Sequence, residues 1–353
     1  MTDARTTISL LGDVVIRTRL AQMRGGDDGP FRAALAELER SDLVLANLEI
    51  PLSRRGYRIP KWASMRAEPE VIEDVKALGI HAVTLANNHM MDYGPEAMLD
   101  TVAACDRAGV AHCGAGVDLE AALRPLRFDV GGASVGLINV SCTLPMESDA
   151  AEGKAGIAPI HIVSSYEIDP SLSLEQPGTM PTVHTWARPE DQALVCARVE
   201  RLAAEVDVAI VAIHWGVPSP WLSPEQGLLA EYQQPLGRAL VAAGADVVWG
   251  HHAHALHPIE VVDGKPVLYS VGHFLLEDPW SFMGPHSVIA QVCLEDRRMT
   301  ALNLVPVWID ERGLPGRATG RHAAAVLDEL ARLSVGYGAQ IDIQGESARL
   351  ALA

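Results

Sequence analysis

Cysteine, long apolar runs and positive charge are all scarce in this sequence of 353 residues. The five cysteines are scattered without C-x-x-C spacing, which argues against a zinc knuckle or a disulfide framework and is typical of reduced thiols in the cytoplasm. No apolar run reaches the roughly 18 residues of a transmembrane helix. The N-terminal apolar run is broken at Gly12 and Asp13, so it has no signal-peptide core. We therefore expect a cytoplasmic protein without a membrane partner.

The charge balance is strongly acidic. Asp and Glu together number 45 against 28 Lys and Arg, which gives a net charge of -17 at pH 7. Such a surface argues against nucleic acid as a partner and against docking on anionic membranes. A small-molecule or short peptide-like anionic substrate remains compatible with it, provided that a metal or local arginines reverse the field inside the site. The composition leaves a homo-oligomer open.

The pattern of predicted elements indicates an α/β fold, because apolar strands alternate with amphipathic helices along the chain. Candidate site residues are spread from position 13 to position 273, which favours a single domain over residues 1–353. Residues 148–188 are rich in Gly, Pro, Ser and Glu without clean periodicity, and we interpret them as an excursion near the site. A late helix at 321–333 suggests a C-terminal helical extension at 319–353.

Helix signals and hairpin signals complete the prediction. The longest predicted helix covers residues 223–243, with Ser223 as its N-cap, Pro224 in its first turn and Gly244 as its stop. Two hairpins are predicted at 126–140 and 259–270, the second around Asp263 and Gly264.

Five buried strands are predicted to end in residues that can bind metal. Carboxyl ends of strands in an open α/β sheet share one edge, so these side chains should converge. The five segments are residues 8–15 with Asp13, 43–50 with Glu49, 82–86 followed by Asn88 and His89, 208–213 followed by His214, and 247–249 followed by His251, His252 and His254.

Each of these residues also has an ordinary structural interpretation. Asp13 could cap a turn beside Gly12, and His89 or His214 could be a core histidine bonded to backbone. A buried carboxylate such as Glu49 is harder to explain without a partner. Five such coincidences favour one site. Mixed nitrogen and oxygen ligands suit Mn, Fe, Zn or Co, and their number exceeds one tetrahedral zinc, which predicts two divalent transition metal ions.

These motifs resemble the CapA family of poly-γ-glutamate capsule biosynthesis proteins, which is related to calcineurin-like metallophosphoesterases. The resemblance covers about residues 7–296 and implies a four-layer α/β/β/α sandwich of two mixed sheets around a dinuclear metal centre. The matching runs are Gly12-Asp13, Asn47-Leu48-Glu49, Ala86-Asn87-Asn88-His89 with Asp92-Tyr93-Gly94, His214-Trp215-Gly216 and Gly250-His251-His252-Ala253-His254.

The resemblance also implies roles for individual residues. The metal ligands would be Asp13, Glu49, Asn88, His214, His252 and His254. His89 would stabilise the transition state or act as general acid, and Asp92 would orient it. His273 stands where the family usually has asparagine, which suggests an added ligand or acid. The sequence also departs from the family at Ala253, where proline is common, and after Trp215-Gly216, where an acidic residue is usual. We also expect no N-terminal membrane anchor of the kind usual in the family.

A basic loop follows Glu49 and could bind the substrate. Its residues Arg54, Arg55, Arg58 and Lys61 would clamp a carboxylate or phosphate, although a solvated basic loop explains them equally well. Trp215 is a further candidate for substrate contact. Together with Trp62, Trp221 and Trp280 it could wall a pocket or belong to the core.

Three functions fit these features. The first is a dinuclear metal-dependent hydrolase, a phosphoesterase in which a metal-bridging hydroxide attacks phosphorus in a small molecule. The second keeps the metals but acts on amide bonds, as a γ-glutamyl peptide hydrolase or transferase. The third is a non-catalytic accessory protein of poly-γ-glutamate-type polymer synthesis. Fold alone does not choose among them.

Overall fold

The computed structural model describes residues 5–25, 28–218, 221–222, 227–277 and 283–352. The strands are β1 (Thr6–Val15), β2 (Leu43–Leu48), β3 (Ala82–Thr84), β4 (Ala111–Cys113), β5 (Ala115–Gly116), β6 (Leu126–Val130), β7 (Ala133–Ser141), β8 (Gly156–Ile157), β9 (Ile162–Glu167), β10 (Thr182–Ala187), β11 (Val208–His214), β12 (Val247–His251), β13 (Ile259–Val262), β14 (Lys265–Leu268), β15 (His273–Leu276), β16 (His286–Glu295), β17 (Arg298–Ile309), β18 (Pro315–Arg317), β19 (Ile341–Gln344) and β20 (Ser347–Ala351). The helices are α1 (Leu20–Met23), α2 (Gly29–Glu39), α3 (Val71–Ala77), α4 (Gly94–Ala108), α5 (Leu119–Ala122), α6 (Pro170–Glu175), α7 (Pro189–Ala203), α8 (Gln233–Ala242) and α9 (Gly320–Leu333).

Two mixed sheets organise the described part of the chain. The larger has the order β19-β20-β17-β16-β1-β2-β3-β4, with β15 also on β1 and β18 on β17. The smaller has the order β13-β14-β12-β11-β7-β6. In the larger sheet β1 pairs parallel with β2 and antiparallel with β16. In the smaller sheet β7, β11, β12 and β14 run parallel, and antiparallel strands close both edges.

Strand alternation explains why the sheets stack. Ile8 and Leu10 of the larger sheet share one apolar cluster with Val208 and Ile210 of the smaller sheet. Intervening residues such as Val211 point the other way, toward the helices. Helix α4 contacts the larger sheet, and helices α7 and α8 contact the smaller one. The result is the predicted α/β sandwich, in which two sheets lie face to face between helices.

Three segments differ from their prediction. Helix α8 begins at Gln233, ten residues later than predicted, and the predicted cap residues Ser223 and Pro224 lie outside the described residues. Trp280, a candidate for the pocket wall, also lies outside them. In the predicted excursion, β9 and β10 form a separate hairpin joined through α6. The expected C-terminal helical extension is only partly helical, because α9 ends at Leu333 and the hairpin β19–β20 then extends the larger sheet.

The C-terminal hairpin forms because its sequence alternates. Ala348 and Leu350 are buried in the cluster between the sheets, while Arg349 lies on the opposite face and is exposed. Gly345 takes a φ of 64° in the turn, a conformation that glycine adopts readily. Among the described helices, none is both long and apolar enough to cross a membrane.

Candidate metal centre

The predicted strand ends do meet at one edge of the sandwich. Asp13 lies near the end of β1, and Glu49 follows β2 directly, with Asp13 beside Asn47 in the neighbouring strand. His214 ends β11, next to His251 of β12. The two sheets thus each deliver polar side chains to the same place, as parallel strands predict.

The backbone around the site is unusually tight. A Cβ atom on Gly12 would lie 2.3 Å from the carbonyl oxygen of Gly272, so only glycine allows β1 and β15 to approach so closely. His252 and His254 have φ angles of 96° and 51°, a left-handed conformation that is costly for residues other than glycine. The His252 N–H donates to Asp13 Oδ2 at 3.2 Å, which helps to hold this turn.

One group of potential ligands consists of Glu49, His214 and His252. Each offers one ligand atom, and the three atoms lie within 4.8 Å of one another. Glu49 Oε1 is 3.3 Å from His214 Nε2, and the rings of His214 and His252 have centroids 4.7 Å apart. His214 Nε2 also lies 2.8 Å from Asn88 Oδ1, which brings the predicted amide ligand to this group.

A second group consists of Asp13, Glu49 and His254. Its ligand atoms also lie within 4.8 Å of one another. His254 Nδ1 is 3.3 Å from Asp13 Oδ2, and His254 Nε2 is 3.8 Å from Glu49 Oε1. Glu49 is therefore the one residue that belongs to both of the ligand groups found among the described residues.

The donor atoms fit a cation. Glu49 is fully buried, and neither of its carboxylate oxygens has a hydrogen-bond partner among the described residues. Burial raises the pKa of Glu49 to about 7, and burial together with the nearby Glu49 raises the pKa of Asp13 well above its usual range. Two buried carboxylates side by side are unfavourable unless positive charge compensates them.

The imidazoles are suited to the same role. Burial lowers the pKa values of His214, His252 and His254 well below the usual range, so these rings are neutral at pH 7. A neutral ring presents a lone pair to a metal. His252 Nδ1 has no hydrogen-bond partner among the described residues.

Asn47 supports the site from the neighbouring strand, although no role is predicted for it from the sequence motifs. Its Nδ2 donates to Asp13 Oδ1 at 2.7 Å, and its Oδ1 accepts from Thr84 Oγ1 and from Asn87 Nδ2, each at 3.1 Å. The available signal was a fully polar side chain inside the apolar run LVLANL. Asn47 fixes the orientation of the Asp13 carboxylate, as outer-shell hydrogen bonds do in metal sites.

His89 lies beside the ligand groups and is oriented by Asp92. His89 Nδ1 is 2.7 Å from Asp92 Oδ2, and Asp92 is completely buried. Lys61 donates to Asp92 Oδ1 at 2.6 Å and to the carbonyl oxygen of Asn88 at 2.6 Å. Lys61 therefore supports this pair from behind instead of reaching a substrate itself.

The other predicted substrate contacts divide. Arg58 lines the cavity above the site. Arg54 is paired with Glu68 and Glu70 on the exposed surface, and the exposed Arg55 is paired with the half-buried Asp100. Trp215 is fully buried, donates to the Tyr269 carbonyl oxygen at 2.9 Å and stacks on the Tyr269 ring, so it belongs to the core and not to a substrate wall.

His273 lies behind the second ligand group. It pairs with Asp13 across neighbouring strands, and its Nδ1 donates to the carbonyl oxygen of His254 at 3.3 Å. Burial lowers the pKa of His273 to about 4. Neither of the two ligand groups found among the described residues includes it. This placement favours support of the His254 turn over the acid role considered from the sequence.

A cavity of about 550 Å³ lies over the site. Its polar lining includes cations as well as the two site histidines, which gives an otherwise acidic protein a local place for an anion. The lining residues are Arg17, Arg58, Ser64, His89, His254 and Glu277, with Val15, Ala63, Met65, Leu276 and Met283 as the apolar part.

The two-sheet sandwich with carboxylates and imidazoles at its strand ends has the architecture of the calcineurin-like metallophosphoesterase class. Residues 7–278 match the family described as Bacterial capsule synthesis protein PGA_cap, and the chain belongs to this family. The resemblance to CapA seen in the sequence motifs is thereby confirmed.

Several relatives carry names from polymer synthesis. The chain is 26% identical to the capsule biosynthesis protein CapA of Bacillus anthracis, over 87% of this chain and 68% of that protein. It is 25% identical to the PGA biosynthesis protein CapA of Bacillus subtilis, over 86% and 71%. It is 32% identical to a probable polyglutamine synthesis accessory protein of Mycobacterium tuberculosis, over 73% of this chain and 61% of that one.

Proposed function

We propose that this protein is a hydrolase that uses two divalent transition metal ions and acts on a phosphoester of a small anionic molecule. The observation that carries the proposal is Glu49, a buried carboxylate without a hydrogen-bond partner among the described residues that is shared by two ligand groups. A purely structural role would leave this charge uncompensated, which is unfavourable in a protein interior. The adjoining cavity with its cationic lining supplies room for a substrate.

Each of the two ligand groups would bind one metal ion. Asp13, Glu49 and His254 would hold one ion, and Glu49, His214 and His252 the other, with Asn88 beside His214. Nitrogen and oxygen donors of this kind accept Mn, Fe, Zn or Co. When bound, such ions act as Lewis acids and lower the pKa of water toward neutrality, which supplies a nucleophile.

The protein's own side chains would place the substrate and handle the proton. Arg58 would bind the anionic group in the cavity, where a guanidinium can hold phosphate through two parallel hydrogen bonds. His89 keeps Nδ1 on Asp92, so Nε2 is the ring nitrogen available to the leaving oxygen. A neutral or protonated imidazole in this position stabilises negative charge or donates a proton as the bond to phosphorus breaks.

Metal removal is the first test. Treatment with EDTA is expected to abolish hydrolysis of p-nitrophenyl phosphate, and Mn²⁺, Fe²⁺, Zn²⁺ or Co²⁺ added in excess should restore it, because these ions would provide both charge and nucleophile. The measurement is steady-state release of p-nitrophenol, with metal content determined by mass spectrometry on the same samples. Turnover that persists in protein shown to be metal-free would exclude this mechanism.

Replacement of Arg58 tests the anion site. Arg58→Ala is expected to raise KM for a phosphomonoester about tenfold with a smaller change in kcat, because it removes a charge-assisted contact made in the ground state. Arg54→Ala is the matched control, since Arg54 is on the same loop but paired with Glu68 and Glu70. An equal rise in KM for both variants would point to general charge, not to a specific contact.

A second candidate function is hydrolysis or transfer at a γ-glutamyl amide bond. It is favoured by the names of the relatives, which refer to capsule, PGA and polyglutamine synthesis. Metal ions held by the same ligand groups could polarise an amide carbonyl as readily as a phosphoryl oxygen. Parallel screening of γ-glutamyl peptides and phosphate esters separates the two, since turnover of only one class decides between them.

An accessory role without catalysis is the third candidate. The word accessory in the name of the Mycobacterium tuberculosis relative favours it. Such a protein would bind metal but turn over neither esters nor amides, and would co-purify with a synthetase. Hydrolysis by purified protein that disappears in a Glu49 variant would remove this candidate.

A further inference from the structure

Lys61 is a largely buried lysine between the cavity wall and the metal centre. Its side chain is 16% exposed, and its Nζ donates to Asp92 Oδ1 and to the Asn88 carbonyl oxygen, each at 2.6 Å. His89 Nδ1 lies 3.3 Å from the same nitrogen. A buried ion pair contributes little net stability, because both charges lose their hydration. Stability alone therefore does not explain why a lysine lies here.

The segment that contains Lys61 is attached to Asp92 at both of its ends. The Ile59 N–H donates to the Asp92 carbonyl oxygen at 2.9 Å, and the Met65 N–H donates to Asp92 Oδ2 at 2.7 Å. Residues 59–65 form neither helix nor strand, so no regular hydrogen-bond ladder fixes their position. Asp92 thus holds the inner side of this segment, and Lys61 adds an ion pair in its middle.

The attached segment also forms part of the cavity wall. Arg58, which directly precedes it, lines the cavity together with Ala63, Ser64 and Met65. His89 lines the same cavity, and its Nδ1 is 2.7 Å from Asp92 Oδ2. One buried carboxylate is therefore in contact both with the segment that follows the cavity cation and with the imidazole beside the ligand groups.

We propose that Lys61 is a positioning residue whose ion pair with Asp92 fixes the cavity wall, and with it Arg58, relative to His89. The tasks given to Arg58 and His89 rest on the proposed function. Catalysis depends on a fixed geometry between the group that binds the substrate and the group that reacts with it, and small displacements lower the rate strongly. Removal of the ammonium group would leave the buried Asp92 carboxylate with fewer donors and would loosen the segment. Substrate binding and proton handling should then deteriorate together.

Hydrogen exchange tests the attachment without any need for turnover. Lys61→Met removes the charge and the donors but little of the side-chain length, and it is expected to speed amide exchange in residues 59–65 about tenfold in the protein as purified. Lys265→Met is the matched control, because Lys265 also pairs with an aspartate, Asp246, whose Oδ2 accepts the Ala209 N–H at 2.8 Å. Asp246 lies at the amino end of β12, whereas the ligands lie at its carboxyl end. The control should leave exchange in residues 59–65 unchanged, and an unchanged rate in Lys61→Met as well would overturn the proposal.

Steady-state kinetics with an alkyl phosphate such as glycerol phosphate test the coupling. Lys61→Met should lower kcat and raise KM in one variant, each about tenfold, whereas loss of Arg58 acts mainly on KM and loss of His89 on kcat. In the double variant Lys61→Met/Arg58→Ala, KM should exceed that of Lys61→Met by less than about twofold, because Arg58 is already displaced. A fall in kcat with KM unchanged, or full additivity of the two substitutions, would overturn the coupling.

A second variant covers the case in which Lys61→Met does not fold. Lys61→Gln keeps one donor group without the charge, so the changes in exchange and kinetics should have the same direction and a smaller size. The contact between Trp62 and Trp221, with ring centroids 5.2 Å apart, supports the outer side of the segment, so we expect loosening and not unfolding. Faster exchange in residues 59–65 of a variant whose wild type turns over no phosphate ester would support the attachment through Lys61 and remove the phosphoesterase proposal instead.

Discussion

Replacing Glu49 by glutamine is expected to cause the largest loss of function of any single substitution in this chain. Glutamine keeps the size and removes the charge shared by both ligand groups. We expect the variant to lose at least one of the two metal ions and kcat to fall by about a thousandfold or more, since nucleophile and charge stabilisation would be lost together. Metal content by mass spectrometry and steady-state hydrolysis measure the two effects on one preparation.

The same substitution should stabilise the metal-free protein at alkaline pH. Burial raises the pKa of Glu49 from 4.5 to about 7, so between these values the folded protein binds more protons than the unfolded chain. Stability therefore falls as pH rises through this window, and the loss is complete above about pH 7. Glutamine resembles the protonated carboxyl group and avoids the loss, which amounts to roughly 3 kcal/mol.

Urea unfolding of metal-free wild type and Glu49→Gln at pH 5 and pH 8 provides the measurement. The difference in unfolding free energy should be small at pH 5 and several-fold larger at pH 8. Glu260→Gln is an informative control, because Glu260 is also buried but is paired with Arg238 and accepts a hydrogen bond from Tyr269. That variant should be destabilised. If the Glu49→Gln variant is less stable than wild type at pH 8, the Glu49 charge does not destabilise the metal-free protein and the prediction is wrong.

The ligand groups could be predicted because the relevant signal is local. Each apolar run followed by Asp13, Glu49 or His214 predicts a buried strand with a polar side chain at its carboxyl end. Parallel pairing then brings these ends to one edge of the sheet. The alternation of Ile8 and Leu10 likewise predicts a face buried against a second sheet. Strand order could not be predicted, since no local pattern shows which strands are neighbours.

The substrate contacts were harder to predict because they depend on distant partners. Trp215 follows His214 directly, which favours a substrate contact. In the structure its ring stacks instead on Tyr269, which is more than fifty positions away in the sequence. Arg54 and Arg58 are the same residue type on the same loop, so the sequence does not tell them apart. In the structure Arg54 forms ion pairs with Glu68 and Glu70, which lie further along the chain. A basic loop therefore predicts positive charge near the site but not which cation faces the cavity.

The C-terminal region shows a different limit. The helical pattern at residues 321–333 predicts a helix and favours a helical extension to the end of the chain, but α9 ends at Leu333. The residues near the end of the chain alternate instead: β20 joins the larger sheet beside β17, and its Ala348 and Leu350 are buried in the cluster between the two sheets. Short strands of this kind gain stability mainly from pairing, here with β17, so their own sequence carries a weak signal.

The final prediction concerns His89, whose replacement should separate chemistry from metal binding. His89→Ala is expected to lower kcat by about a hundredfold to ten-thousandfold, because a positioned imidazole is lost from the leaving oxygen. Metal content should stay close to wild type, since His89 is in neither ligand group among the described residues. Asp92→Asn should also lower kcat while metal content stays unchanged, because the carboxylate that holds His89 Nδ1 and sets its tautomer is lost.

The leaving group distinguishes the two roles open to His89. If the ring donates a proton, an alkyl phosphate with a basic leaving oxygen should lose far more activity in His89→Ala than p-nitrophenyl phosphate, whose leaving group needs no proton. If the ring only stabilises charge on phosphoryl oxygens, both esters should lose activity equally. Loss of metal in this variant would contradict both roles, because it would mean that His89 acts through the ligand groups and not on the substrate.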